Sequence, residues 1–346
     1  GDPQAGSCVW RCWWSLFAAT SAGQGTGYDT LAQMAPVDVS TTNFRLMLAT
    51  LAQSYGGVNN QLLINAQGPR GSQALSVRSG TVTLSDLQSF SAANGMAPRA
   101  DGTLTAPIVL WPDATLILNP GERLALSRPD GAFVMSMGTI RAVGAVIESS
   151  GTQNVIEPTF APFVTVLSGG SLHLEGTILR GLGFGRTMKF SGLTVAGNPL
   201  MTGAQEVVIQ DSLFDGIKTV AIAGAPGAMI TGNTFQNAGS AGLSILGAPR
   251  VQVRENLFRG KAPTNSIRVE TGSDHAEVAD NVFLAGSRVA VQIEGGSNHV
   301  QVRGNVIWKR DGAGIKFLGT GCGRATGNYL IDNSQKGIEV RKSNGT

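Results

Sequence analysis

The stretch "NSIRVETGSDHAEVADNVF", Asn265 to Phe283, sets Arg268, Glu270, Asp274, His275 and Asp280 among small and apolar residues. Carboxylates and an imidazole are the groups that give and take protons in general acid/base catalysis. An arginine holds a substrate carboxylate through paired, charge-assisted hydrogen bonds. His275 is one of three histidines in the whole chain and directly follows an aspartate. Another carboxylate, Glu294, stands 24 residues after Glu270. Whether these groups meet depends on the elements that carry them.

Those elements announce themselves by repetition. The segments "AMITGNTF", "VQVRENLF", "AEVADNVF", "VQVRGNVI" and "GRATGNYL" carry Asn233, Asn256, Asn281, Asn305 and Asn328 in one slot, and "VVIQDSLF" precedes them with Ser212 there. A second strand repeats in step as "TVAIAGA", "AGLSILG", "NSIRVET", "VAVQIEG", "AGIKFLG" and "KGIEVRK". A period of about 24 residues, with short strands and a polar turn residue in each turn, specifies an all-β parallel β-helix, a solenoid whose coils stack about 4.8 Å apart. The turn asparagines are expected to form a ladder between coils and to take the unusual backbone angles themselves. Phe235, Phe258 and Phe283 are expected to stack inside. The 47 glycines, without a collagen period, suit many tight turns.

Alternation of side chains along a strand places the chemistry. With Leu243, Ile267, Val291, Ile315 and Ile338 inward, the next residues form an outward column of Ser244, Arg268, Gln292, Lys316 and Glu339. Two residues on lies a second column of Leu246, Glu270, Glu294, Leu318 and Arg341. Two like carboxylates one coil apart raise each other's pKa unless a cation compensates. The catalytic candidates are therefore Glu270 and Glu294, as proton donor or acceptor. Arg268, Gln292, Lys316, Arg341 and Ser244 are the substrate-binding candidates, with Arg268 or Lys316 holding a carboxylate. The competing reading is a solvated charge lattice. His275 and His299 occupy the same turn position one coil apart, which marks them as repeated turn residues. His173 alternates with Leu172 and Leu174 on an earlier coil.

The rest of the composition narrows the classes. A formal net charge of +3 without a dense basic run argues against nucleic acid and permits attraction to an acidic polymer. The three cysteines, Cys8, Cys12 and Cys322, form no Cys-x-x-Cys pair, so neither a zinc site nor any other metal centre is expected. No nucleophile elbow or phosphate loop is present, and no cofactor is implied. No apolar run is long enough to span a membrane. The Trp-rich segment Cys8 to Ala19 has helix-compatible spacing. Ser40 to Gly57 is expected to be a helix that shields the open end of the solenoid. Residues 1–102 read as a mixed, partly helical N-terminal capping region and residues 103–346 as the β-helix.

Three segments carry a resemblance: "LALSRPDGAFVMSMGTIRAVGAVIESS", "FAPFVTVLSGGSLHLEGTILRGLGFG" and "VVIQDSLFDGIKTVAIAGAPGAMITGNTFQNAGSAGL". The chain resembles the periplasmic mannuronan (alginate) C-5 epimerases, within the carbohydrate-binding and sugar-hydrolase class of right-handed β-helices. The resemblance covers about two thirds of the chain. It implies a periplasmic or secreted protein that handles an anionic or neutral polysaccharide, with other exopolysaccharide-secretion proteins as further partners. The family carries an Asp-Pro-His-Asp stretch after a Gly-Ile pair. Here Gly242-Leu243 is followed by Ser244-Ile245-Leu246-Gly247. The expectation is a uronic-acid epimerase with a divergent site, ranked ahead of hydrolase or lyase chemistry. The alternatives are a non-catalytic polysaccharide-binding or assembly scaffold and, behind it, a phage or surface structural solenoid.

Overall fold

The computed structural model describes residues 36–48, 60–67, 73–152, 160–167, 169–197, 205–260 and 263–346. The Trp-rich segment, and with it Cys8 and Cys12, lies outside the described residues. From Ile108 onward the described residues wind as a parallel β-helix with three strands per coil. One stack contains Thr219–Ala223, Leu243–Leu246, Ile267–Glu270, Val291–Glu294, Ile315–Leu318 and Ile338–Arg341, each paired in parallel with the next. A second contains Gln252–Arg254, Glu277–Ala279 and Gln301–Arg303. A third, separate sheet of nine strands contains Leu257–Arg259 and Val282–Gly286. The first two stacks merge at the N-terminal end because Ile108–Leu118 is long enough to pair with strands of both.

The interior follows from the period. Leu243, Ile267, Val291 and Ile315 are fully buried and stack coil on coil. Phe214, Phe235, Phe258 and Phe283 stack at ring-centroid distances of 4.9, 4.6 and 4.9 Å, the spacing of neighbouring coils. The asparagine ladder is present. Asn233 Nδ2 donates to Asn256 Oδ1 at 3.0 Å and to the Ile209 carbonyl at 2.9 Å. The pattern continues through Asn281 and Asn305 to Asn328. The backbone angle differs from expectation. The left-handed conformation falls one residue earlier, on Asp211, Gly232, Glu255, Asp280, Gly304 and Gly327. That residue makes the corner and leaves the asparagine free to point inward. Ile338, expected inward, is 44% exposed because no coil covers it among the described residues.

Of the helix expected over 40–57, residues 44–48 are helical, residues 40–43 are strand, and 49–57 lie outside the described residues. Asp38–Asn43 is a strand, antiparallel to Gln73–Thr83, as its β-branched threonines favour. The Asn43 side chain then accepts from the backbone N–H of Arg45 and Leu46 and starts a helix whose described residues are 44–48. Phe44, Met47 and Leu48 join Leu63, Phe133, Phe163, Phe184 and Phe190 in a second apolar cluster on the outside of the first stack. The helix Leu84–Ala93 instead contributes Leu84 and Leu87 to the interior core. A reciprocal capping box between Thr83 and Asp86 starts it, with aspartate in the place where glutamate is usual.

Candidate functional site

The register places the expected columns. Ser244 pairs with Arg268, Arg268 with Gln292, Gln292 with Lys316 and Lys316 with Glu339, all on one outer face. Each alternates with a buried residue, so the polar side chains rise from a rigid apolar floor. Arg268 is the hub. Its Nη2 donates to Glu270 Oε1 and, at 2.8 Å, to Glu294 Oε1. Gln292 Nε2 donates to Glu294 Oε2 at 2.8 Å and its own Oε1 accepts from Asn265 Nδ2 at 3.0 Å. Ser244 Oγ lies 3.5 Å from Glu270 Oε2.

The two carboxylates share one cation but not one environment. Burial, reinforced by hydrogen bonding to Glu294, holds Glu270 above the usual carboxylate range. Burial also pushes Glu294 up, but hydrogen bonds from Arg268, Glu270 and Gln292 outweigh it and hold Glu294 below that range. Such a split leaves one group the better proton donor and the other the better acceptor. The remaining candidates are divided. Lys316 pairs with Glu339 at 3.3 Å and lines the groove. Arg341 turns to Glu339, 3.5 Å away, and lines neither of the clefts described next.

Two clefts flank Arg268, which lines both. One, of about 520 Å³, is bounded by Asn265, Arg288, Gln292, Glu294, Asp311 and Lys316. The other, of about 280 Å³, is bounded by Arg186, Met188, Lys218, Ser244, Leu246 and Glu270. Together they make a groove running along the coils. Sequence reasoning missed Arg186, Lys218, Arg288 and Asp311, because they sit in loops of irregular length between the third and first stacks. Position relative to the strands was the usable signal, since Lys218 lies just before Thr219–Ala223. One loop has its own fastening. Arg310 is buried and donates to the carbonyls of Ala285, Arg288 and Val289. Burial lowers its pKa to about 10, so it stays charged at neutral pH. The loop it grips, 285–289, forms a wall of the larger cleft.

The histidines stand apart. His275 and His299 stack at 4.8 Å, nearly parallel, at left-handed turn positions, and line neither cleft. His173 Nε2 is 3.4 Å from Glu206 on an earlier coil. Among the described residues no group of His, Cys, Asp and Glu could hold a metal ion, and no helix is long and apolar enough to cross a membrane. Ser244-Ile245-Leu246-Gly247 occupies the groove floor. Ile245 there is fully buried and so is not available for chemistry.

Comparison with known proteins agrees with the architecture. No curated protein sequence matches the chain. A family model described as "Right handed beta helix region" matches residues 200–346. The crystal structure of the periplasmic alginate epimerase AlgG is similar, with a TM-score of 0.77 at 20% identity, over 94% of this chain and 82% of that one. A double mutant of AlgG gives 0.71 at 18% identity, over 94% and 87%. The chain is therefore an all-β, right-handed parallel β-helix with the fold of an alginate epimerase.

Proposed function

We propose that this protein handles an acidic polysaccharide in the periplasm or outside the cell, with the polymer lying in the groove along the coils. The observation that carries the reading is Arg268, bonded to Glu270 and Glu294 at the point where the two clefts meet. Ser244, Arg268, Gln292 and Lys316 are the binding residues facing that line, and Arg341 meets only the distal end of a longer chain. The similarity in fold to an alginate epimerase supports a uronic-acid polymer, and exopolysaccharide-secretion proteins are the natural further partners.

The reaction this site suits is C-5 epimerisation. Glu294, held ionised, removes the proton from the carbon that bears the substrate carboxylate. Arg268 or Lys316 neutralises that carboxylate and so stabilises the charge that develops on it. Glu270, the more readily protonated of the two, hydrogen-bonds the same carboxylate when it carries its proton. Both glutamates rise from one face of the sheet, so inversion requires the proton to return from the open side of the groove, from water. A second reading rests on Ser244-Ile245-Leu246-Gly247, which carries no acid or base at the groove floor: a non-catalytic scaffold that binds the polymer. Proton NMR of polymannuronate incubated with the protein separates the two. Conversion to guluronate, lost in Glu294→Gln, supports the epimerase. Polymer affinity without turnover supports the scaffold, and turnover that survives both Glu270→Gln and Glu294→Gln removes the assigned catalytic pair.

A further inference from the structure

The cations of the groove are of two kinds. Arg268 and Lys316 are answered by glutamates. Arg186 and Lys218, which both line the smaller cleft, form no ion pair with any described residue. Burial and the neighbouring Arg186 both push the Lys218 ammonium below its usual range. Beside them the Thr187 hydroxyl is buried without a hydrogen-bond partner among the described residues, and so is Arg268 Nε in the same cleft. Groups left in this state are costly unless something completes them.

The local fold holds the cluster in place. The turn Met188–Phe190 crosses the outside of the first stack and is pinned there. Thr194 Oγ1 donates to the Met188 carbonyl at 2.6 Å, and Thr165 Oγ1 to the Lys189 carbonyl at 2.6 Å. Phe190 stacks on Phe184 at 5.4 Å. Gly183 has a left-handed φ of 101°, and a Cβ there would run into the backbone of Ser191, so the crossing is close enough to demand glycine. The Lys218 backbone is clamped on both sides, its N–H to the Leu182 carbonyl at 2.9 Å and its carbonyl to the Ser240 N–H at 2.8 Å.

We infer that Arg186, Lys218 and the Thr187 hydroxyl form an anion subsite at the end of the groove beside the turn Met188–Phe190, which takes a second carboxylate of the polymer whose first carboxylate lies at Arg268. The inference rests on the polysaccharide reading given above and adds a minimum length to it. Lys218 precedes a strand two coils from the strand of Arg268, which is about 10 Å along the axis. An extended uronan therefore has to bridge about two coils to engage both. Short oligomers reach one anion site, and longer ones reach both. Occupation of the subsite supplies the missing counter-charge to Arg186 and Lys218 and the missing partner to Thr187.

Fluorescence-anisotropy titration of end-labelled oligomannuronates, a dimer and an octamer, tests this. The wild type should bind the octamer more tightly. Arg186→Gln combined with Lys218→Gln should weaken octamer binding about tenfold, as loss of charged hydrogen bonds does, and leave dimer binding unchanged. Lys218→Arg should keep most of the octamer affinity. Arg186 is exposed, so Arg186→Gln alone keeps the test intact if the double variant misfolds. Unchanged octamer affinity in Arg186→Gln and the double variant, with both oligomers weakened by Arg268→Ala, overturns the subsite and leaves the groove standing. No binding of either oligomer to the wild type overturns the groove and the subsite together.

Discussion

One outward column of the first stack runs through two unlike halves of the molecule. In the early coils it reads Val109, Met135, Thr165, Thr194 and Ala221, and in the later coils Ser244, Arg268, Gln292, Lys316 and Glu339. The register never breaks between them. The early half is roofed by the phenylalanine cluster and the turn Met188–Phe190, and its five residues are all buried. The later half is bare and charged. The difference shows that the inward residues alone set the solenoid, which leaves each outward position free to serve either packing or binding. The place where roof gives way to groove is the place where Arg186 and Lys218 stand.

If this division is right, substitutions at outward positions should act on stability in one half and on binding in the other. The largest effect is expected for Phe163→Ala. Phe163 is fully buried on the outer face and contacts Phe133, Phe184 and Phe190 at 4.6, 6.0 and 5.0 Å. A loss of about 3–5 kcal/mol in denaturant unfolding is expected, as for a core phenylalanine. A loss below about 1 kcal/mol would mean the roof is not part of the fold. Next comes Ile267→Ala, beneath the bare half, with an expected loss of about 2–5 kcal/mol. A near-neutral result there would shift the inward and outward assignment by one residue.

The smallest stability effects should come from the charged face and should depend on pH. Glu270 has a folded pKa raised by burial, so its stabilising contribution is full below the unfolded value and lost as pH rises through the folded one. Glu294 has a lowered folded pKa, so its contribution is present above the unfolded value and lost as pH falls through the folded one. At neutral pH, Glu294→Gln should therefore lower the melting temperature more than Glu270→Gln. That gap should close as the pH is brought down through the carboxylate range. Equal effects at every pH would show that the two carboxyl groups share one environment.

Much of this was legible in the sequence because a solenoid repeats its instructions. The period of the asparagines sets the coil, the alternation in "SIRVE" sets which residues point out, and both columns follow. The wall of the groove was not legible. Arg186, Lys218 and Arg288 lie in loops whose lengths vary, so no period locates them. The roof was hidden for a related reason. Phe44 and Phe163 look like ordinary core residues in sequence, and only long-range packing puts them outside the coil. The helix Leu84–Ala93 escaped notice because its short run of apolar residues gives a weak periodic signal. His275 drew attention by rarity alone, and its place in a stack with His299 explains it as a turn residue.

The central claim is that the bare half is a binding groove for an anionic polysaccharide centred on Arg268. Isothermal titration of polymannuronate into the wild type and Arg268→Ala, with thermal unfolding of both recorded alongside, tests it most directly. The affinity should fall about tenfold while the variant still unfolds cooperatively near the wild-type temperature, since a half-exposed ion-pair arginine adds about 1 kcal/mol or less to stability. An unchanged affinity in a folded Arg268→Ala protein would contradict the claim.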